Sequence, residues 1–128
     1  MYTIATGKNT ILVVDDDEDV LDSVSELLEL LGYAVHLAES GEKSLDLYKE
    51  LGEEIDVVLL DLTLPQMTGK EVYDQLRTIN PAVRIVLSTG YDKSAINGFS
   101  TESGRTCFLQ KPYSITQIEE ILSSILEE

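Results

Sequence analysis

Five short apolar runs alternate with amphipathic helical patterns, and this alternation limits the possible folds of the chain more than any other feature. The runs occupy residues 10–14, 33–37, 55–61, 83–87 and 107–109. The third is apolar without interruption from Val57 to Leu60, which is typical of a strand covered on both faces. Strands alternating with helices predict right-handed βαβ units and a parallel sheet. We therefore predict a doubly wound α/β domain.

Start and stop signals frame the helical patterns. The first two patterns end at Gly32 and Gly52, and glycine is common just after a helix. Thr68 with Glu71, and Ser114 with Gln117, fit capping boxes at the starts of two later helices. A weaker pattern covers residues 93–99, which we interpret as an irregular fourth helix.

The charge balance excludes several classes of partner. The 128 residues suffice for one domain, and they carry a formal net charge of −15. Nucleic-acid binding needs a basic stripe, so no nucleic-acid partner is expected. An anionic membrane surface would repel the chain, and no apolar run approaches the length of a membrane span. An acidic chain instead suits a cation or a basic partner surface.

The N-terminus and the cysteine content favour a cytoplasmic location. Residues 1–9 are polar and unpatterned, so we expect a disordered segment there and a folded unit over residues 10–128. No apolar signal core is found in this segment. Cys107 is the only cysteine, so no internal disulfide can form, as is usual in a reducing cytosol.

Polar residues follow four of the five predicted strands. They are Asp15 and Asp16 after the first strand, Asp61 after the third, Thr89 after the fourth and Lys111 after the fifth. Parallel strands end at one edge of a sheet, so these side chains should meet in one crevice. Three carboxylates there repel one another and need a compensating cation. Oxygen ligands suit Mg²⁺, and Lys111 adds a second positive charge.

This combination is typical of phosphoryl transfer, which depends mainly on positioning and charge neutralisation. A hydroxyl at Thr89 could bind an arriving anion, and a carboxylate can itself take a phosphoryl group. Each residue also has a structural explanation. Asp15 and Asp16 could cap a helix, Asp61 could form an Asx turn, and Lys111 and Thr89 could lie at the surface and at a strand end. The coincidence of all four strand ends favours the functional interpretation.

The chain closely resembles the receiver domain of two-component response regulators over residues 9–127. The resemblance rests on 11–17 (ILVVDDD), 57–65 (VVLLDLTLP) with Gly69, 87–90 (LSTG) and 108–112 (FLQKP). It implies a flavodoxin-like (βα)5 fold, whose five-stranded parallel sheet has the order 2-1-3-4-5. Residues 87–91 and 108–113 further resemble the corresponding segments of receivers attached to hybrid sensor histidine kinases.

The resemblance implies a phosphoacceptor role for Asp61. The phosphoryl group would come from a phosphohistidine of a sensor histidine kinase or a histidine phosphotransfer protein. Asp15, Asp16, Asp61 and the backbone carbonyl of Thr63 would hold Mg²⁺. The domain would then be a signalling switch rather than a turnover enzyme, with only self-phosphorylation and autodephosphorylation.

The resemblance also implies how the signal would spread. Lys111 would contact the phosphoryl group, Thr89 would follow it by hydrogen bonding, and the ring of Phe108 would turn inward. The altered surface would comprise the fourth helix, the fifth strand and the last helix. Tyr91 is bulky and could shield the acyl phosphate from water. The oligomeric state, the cognate kinase and the output are not defined by the sequence.

Three other functions compete with the switch. A Mg²⁺-dependent phosphohydrolase with an aspartyl nucleophile would want a second acid two residues later, where this chain has Thr63. A flavin carrier of this fold would place an anionic phosphate near three carboxylates, and the first strand lacks a phosphate-binding loop. An inert pseudo-receiver would lack site residues that are all present here.

Overall fold

The computed structural model describes residues 9–62, 64, 67–90 and 105–126. In chain order the elements are β1 (Thr10–Val14), α1 (Glu18–Leu30), β2 (Ala34–Ala38), α2 (Gly41–Leu51), β3 (Val57–Asp61), α3 (Gly69–Ile79), β4 (Ile85–Thr89), β5 (Thr106–Gln110) and α4 (Ile115–Leu126). Residues 1–8 and the helix predicted over 93–99 lie outside the described residues. None of the four described helices has the length and apolar character that crossing a bilayer requires.

The five strands form one parallel sheet in the order β2-β1-β3-β4-β5, which confirms the predicted fold. Val14 pairs with Ala38 on one side and with Leu60 on the other. Asp61 then pairs with Ser88. This register aligns the carboxyl ends of β1, β3 and β4, so the residues that follow these strands share one edge of the sheet.

Two apolar layers explain why the central run does not alternate with polar residues. Leu12, Val58 and Leu60 pack with α2 and α3 on one face of the sheet. Val57 and Leu59 pack with α1 and α4 on the other face. Each such buried side chain stabilises the fold by about 1.5–3 kcal/mol relative to an exposed one. β3 is therefore enclosed by both layers, so Asp61 lies at the end of a central strand that is buried on both faces.

The predicted helix ends are confirmed, and α1 ends in a Schellman motif. Gly32 has φ +96°, its N–H donates to Glu29 O at 3.0 Å, and the N–H of Tyr33 donates to Leu28 O at 3.0 Å. Gly52 caps α2 but keeps a helical φ of −48°. Both predicted capping boxes form, at Thr68 and at Ser114.

The prediction of the fourth strand at residues 83–87 is two residues early at both ends, since β4 begins at Ile85. β4 runs to Thr89, because Ser88 and Thr89 continue the backbone ladder to Leu109 and Gln110 of β5. Their hydroxyls interrupt the apolar run, although both residues are buried. Both polar residues therefore belong to β4, and they lie at the carboxyl edge of the sheet.

Gly69 allows α3 to begin against the backbone that follows Asp61. A Cβ at position 69 would lie 2.6 Å from Leu62 Cα and 3.1 Å from Asp61 O. We expect Gly69→Ala to lower the free energy of unfolding by about 1–3 kcal/mol, because the methyl group meets backbone atoms. Urea denaturation measures this change. Lys70→Ala, at the exposed next position, should change stability by less than about 0.5 kcal/mol, and equal losses in both variants would contradict the packing argument.

Candidate functional site

Three aspartates converge at the carboxyl edge of the sheet. Asp15 and Asp16 follow β1, Asp61 ends the adjacent β3, and one carboxylate oxygen from each lies within 4.8 Å of the others. Asp15 and Asp61 are 4% and 3% exposed, whereas Asp16 is exposed. The structure thus brings together, across 46 positions of sequence, the three acids that the sequence placed in one crevice.

Asp17, rather than Asp15 or Asp16, caps α1. The carboxylate of Asp17 accepts from the N–H of Asp19 at 2.9 Å. Asp15 Oδ1 accepts from the N–H of Asp17 at 3.0 Å, which orients the Asp15 side chain at the site. Helix capping therefore accounts for Asp17 and leaves the role of Asp16 open. Sequence reasoning missed this division, because any of three consecutive aspartates can cap a helix.

Lys111 neutralises part of the acidic charge. Its Nζ lies 3.0 Å from Asp15 Oδ2 and 3.7 Å from Asp61 Oδ2. The backbone N–H of Lys111 donates to Thr89 O at 2.8 Å, which fixes the start of the loop after β5. Burial works to lower the pKa of Lys111, but the hydrogen bond to Asp15 and the charges of Asp61 and Asp15 outweigh it, so the pKa is raised. The ammonium therefore stays charged at neutral pH.

The donor set fits a hard divalent cation. Among the described residues at this edge, three carboxylates face one ammonium, and two of these carboxylates are almost fully buried. Burying like charges is costly without a compensating cation. Carboxylate oxygens are the ligands that Mg²⁺ prefers, and the exposed side at Asp16 leaves room for the waters that this ion retains. Thr63, whose carbonyl was predicted as a ligand, lies outside the described residues.

The negative charges of this site act on Tyr113, a residue that the sequence did not indicate as part of the site. Burial raises its pKa to about 12, and the negative charges of Asp15 and Asp61 add to the shift. Tyr113 lies in the loop between β5 and α4, two residues after Lys111. Its position after a Lys-Pro pair at a strand end is the available signal in the sequence.

Thr89 and Phe108 lie on the same face of the sheet. Thr89 is 4% exposed and ends β4. Phe108 pairs with Leu87 in the register, and its half-buried ring packs against the layer formed by α2 and α3. Because alternate residues of a strand share a face, Thr89 and Phe108 are diagonal neighbours there. Ser88 lies on the other face of the sheet from Thr89, and it pairs with Asp61 in the register. The carbonyl of Ser88 accepts from the N–H of Leu62 at 3.0 Å.

Comparison with known proteins identifies relatives across almost the whole chain. The family model described as response regulator receiver domain matches residues 11–123. Sensor kinase CckA of Brucella abortus is 32% identical over 126 residues, covering 98% of this chain and 13% of the kinase. A cyclic di-GMP phosphodiesterase of Thermotoga maritima is 36% identical over 106 residues, covering 83% of this chain and 28% of that protein. The chain thus spans a small part of these two relatives.

A solved structure matches over almost its whole length. The CheY-like response regulator receiver domain protein from Methanospirillum hungatei superposes with a TM-score of 0.84 at 29% sequence identity. The match covers 94% of this chain and 95% of the solved chain. Sequence and structure therefore agree on the same family.

Proposed function

The chain belongs to the response regulator receiver domain family of two-component signalling, and from this we propose that Asp61 is its phosphoacceptor. The donor would be a phosphohistidine of a sensor histidine kinase or of a histidine phosphotransfer protein. The observation that carries the proposal is the convergence of Asp15, Asp16 and Asp61 within 4.8 Å, with Lys111 beside them. The net charge of −15 supports a protein rather than a nucleic-acid partner.

The residues of the site supply the parts of the transfer step. An oxygen of Asp61 attacks phosphorus, the phosphorus–nitrogen bond of the donor breaks, and the imidazole leaves with the bonding electrons. The product is an acyl phosphate on Asp61. Lys111, 3.7 Å from Asp61, lies where it can pair with an oxygen of the transferred group. Asp15, Asp16, Asp61 and the carbonyl of Thr63 would hold Mg²⁺, which neutralises charge on the phosphoryl oxygens when bound.

The same geometry supports a switch at β4 and β5. A phosphoryl group on Asp61 would offer oxygens to the hydroxyl of Thr89, and a shift of Thr89 would open space for the ring of Phe108. These two residues are diagonal neighbours on one face of the sheet. The altered surface would include β5, α4 and the segment before β5. Tyr91, proposed to shield the acyl phosphate, lies outside the described residues.

We further propose that residues 10–128 form the receiver unit and that it works as part of, or beside, a cytoplasmic sensor histidine kinase. The similarity to sensor kinase CckA supports this origin. A phosphohydrolase is not favoured, because the second residue after Asp61 is Thr63 rather than an acid. Turnover of a phosphate ester would support the hydrolase, whereas stoichiometric labelling with slow loss supports the switch.

Acetyl phosphate, a small phosphodonor, tests the proposal without a partner protein. We expect incubation with Mg²⁺ to add one phosphoryl group per chain, detected by intact mass, and peptide mapping to locate it on Asp61. Chelation of Mg²⁺ should slow labelling at least about a hundredfold, because the carboxylates then repel the anionic donor. Labelling at the same rate in chelator, or on another residue, would contradict the proposal.

A further inference from the structure

A buried serine lies directly beside the proposed phosphoacceptor in the sheet. Ser88 of β4 pairs with Asp61 of β3 in the parallel register, and the carbonyl of Ser88 holds the N–H of Leu62. Neighbouring strands lie about 4.8 Å apart, so paired side chains on one face of a sheet are within contact range. The hydroxyl of Ser88 is therefore within reach of the Asp61 carboxyl group if both side chains share a face.

Both side chains do lie on the same face of the sheet. Leu59 and Val86 pack in the layer formed by α1 and α4, and Asp61 and Ser88 follow them by two positions. Alternate residues of a strand share a face. The two hydroxyl-bearing residues of β4 thus lie on opposite faces, and Ser88, rather than Thr89, is the one that shares the face of Asp61.

The register also places Ser88 level with the Asp61 carboxyl group rather than with a phosphoryl group beyond it. Ser88 pairs with Leu109 of β5, and Lys111 follows Leu109 by two positions. The N–H of Lys111 donates to Thr89 O at 2.8 Å, so the backbone ladder continues to this residue. Lys111 therefore lies one step closer to the open edge of the sheet, where phosphoryl oxygens would extend. The atoms nearest to the Ser88 hydroxyl belong instead to the carboxyl group.

The hydrogen of the Ser88 hydroxyl is not committed to another group. Ser88 is 3% exposed. Ser44, on α2, is also buried, and its hydroxyl donates to Gly41 O at 2.6 Å. Within the part of the chain that the structure describes, no hydrogen bond of the Ser88 side chain is present. Buried hydroxyls normally have a partner, so this one is available to a group that forms at Asp61.

We propose that Ser88, once an acyl phosphate has formed on Asp61, donates a hydrogen bond to the carboxyl oxygen that does not carry phosphorus. The inference rests on the proposed function, because it concerns the product of that transfer. Through this bond, Ser88 sets how long the phosphoryl group persists.

The hydrolysis of the acyl phosphate explains the effect on lifetime. Water attacks phosphorus, the bond between phosphorus and the Asp61 oxygen breaks, and the carboxylate leaves with the bonding electrons. Dihydrogen phosphate keeps both protons of the water. Negative charge grows on the two carboxyl oxygens as this bond breaks, so a hydrogen-bond donor at one of them stabilises the transition state more than the acyl phosphate.

Ser88→Ala should lengthen the lifetime of the phosphoryl group at least about threefold, because the leaving carboxylate loses its hydrogen bond. Acetyl phosphate and Mg²⁺ label the protein, acetyl phosphate is then removed, and intact mass follows the loss of the label. Ser88→Thr keeps a hydroxyl and should have a lifetime within about twofold of the wild-type value. Ser44→Ala removes a buried hydroxyl far from Asp61 and should leave the lifetime unchanged.

Two further measurements separate this role from a purely structural one. Ser88→Ala removes a hydroxyl without a partner, so the midpoint of urea denaturation in chelator should not fall, whereas Ser44→Ala breaks the bond to Gly41 and should lower it. Infrared spectroscopy with isotope-labelled aspartate reports on the acyl phosphate itself. Its carbonyl stretch should move to higher frequency in Ser88→Ala, because loss of a hydrogen bond strengthens the C=O bond.

The inference fails, and the proposed function stands, if the wild-type protein is labelled on Asp61 but Ser88→Ala changes neither the lifetime nor the carbonyl frequency. A Ser88→Thr lifetime as long as that of Ser88→Ala would also overturn it. A fall in the urea midpoint of Ser88→Ala as large as that of Ser44→Ala would assign the hydroxyl a structural role instead. A wild-type protein that is never labelled on Asp61 would refute the proposed function and, with it, the acyl phosphate that Ser88 is inferred to contact.

Discussion

Asp61→Asn is expected to abolish phosphoryl incorporation from acetyl phosphate, with a loss of at least about a hundredfold in labelling. The amide has nearly the same shape as the carboxylate but is a far weaker nucleophile, and it removes one of the three carboxylates proposed to hold Mg²⁺. Intact mass of the protein after incubation with acetyl phosphate and Mg²⁺ measures the effect. Asp46→Asn, an exposed position on α2, is the matched control and should label like the wild-type protein.

We expect the Asp61→Asn variant to fold, so a loss of labelling can be attributed to the missing carboxylate. Asp61 is 3% exposed, and one of its carboxylate oxygens lies within 4.8 Å of oxygens of Asp15 and Asp16, so the amide relieves repulsion between neighbouring carboxylates. Stability of the variant in chelator should therefore equal or exceed that of the wild-type protein. Labelling of Asp61→Asn at the wild-type level would place the phosphoryl group elsewhere and contradict the assignment.

Lys111→Met is expected to raise the affinity for Mg²⁺ while it slows labelling at least about tenfold. The ammonium lies 3.0 Å from Asp15 and 3.7 Å from Asp61, so it competes with a divalent cation for the same carboxylates. Its removal concentrates negative charge at the site, which favours Mg²⁺ but removes the group placed to receive a phosphoryl oxygen. Titration calorimetry measures the affinity, and intact mass measures the rate of labelling.

Lys70→Met provides the control for this prediction. Lys70 forms an exposed ion pair with Asp74 at 2.7 Å, and such pairs contribute little to stability. Loss of the Lys70 ammonium should change neither the affinity for Mg²⁺ nor the rate of labelling.

The Lys111→Met variant should also melt at a lower temperature than the wild-type protein in chelator, and its melting temperature should recover when Mg²⁺ is added. Lower Mg²⁺ affinity in Lys111→Met would show that the lysine does not compete for these carboxylates.

The sheet and the acid cluster were predictable because both follow from short-range patterns and one topological rule. An uninterrupted apolar run at 57–60 requires cover on both faces, and the two core layers provide it. Parallel strands end at one edge, so Asp15, Asp61 and Lys111 had to meet once the strands were identified. The family resemblance supplied the strand order, which the pairing confirms.

Other features depend on side-chain contacts between distant segments and leave no periodic trace. Tyr73 and Arg77 of α3 reach across β4 to Thr106 of β5. The Tyr73 hydroxyl lies 2.8 Å from Thr106 Oγ1, and Arg77 donates to the same oxygen at 2.7 Å. Arg77 also donates to the carbonyl of Val83. Nothing in the spacing of these residues predicted a polar network that ties α3 to β5.

The helix cap illustrates a second limit. Asp15, Asp16 and Asp17 are chemically identical, and the choice of cap depends on the backbone conformation where β1 passes into α1. Asp17 has an extended backbone, with φ −97° and ψ 114°, and accepts from Asp19. Because Asp17 is the cap, Asp15 and Asp16 are available to the site, and the sequence alone had left this division open.

The most direct test of the account is the position of a divalent cation among the three aspartates. Crystals grown with Mn²⁺, a Mg²⁺ substitute with anomalous scattering, would locate the ion without reference to activity. We predict one anomalous peak within coordination distance of carboxylate oxygens of Asp15, Asp16 or both, and of Asp61, and its loss in a crystal of Asp61→Asn with Asp16→Asn. An absence of any peak at this edge of the sheet in the Mn²⁺-saturated wild-type protein would contradict the account.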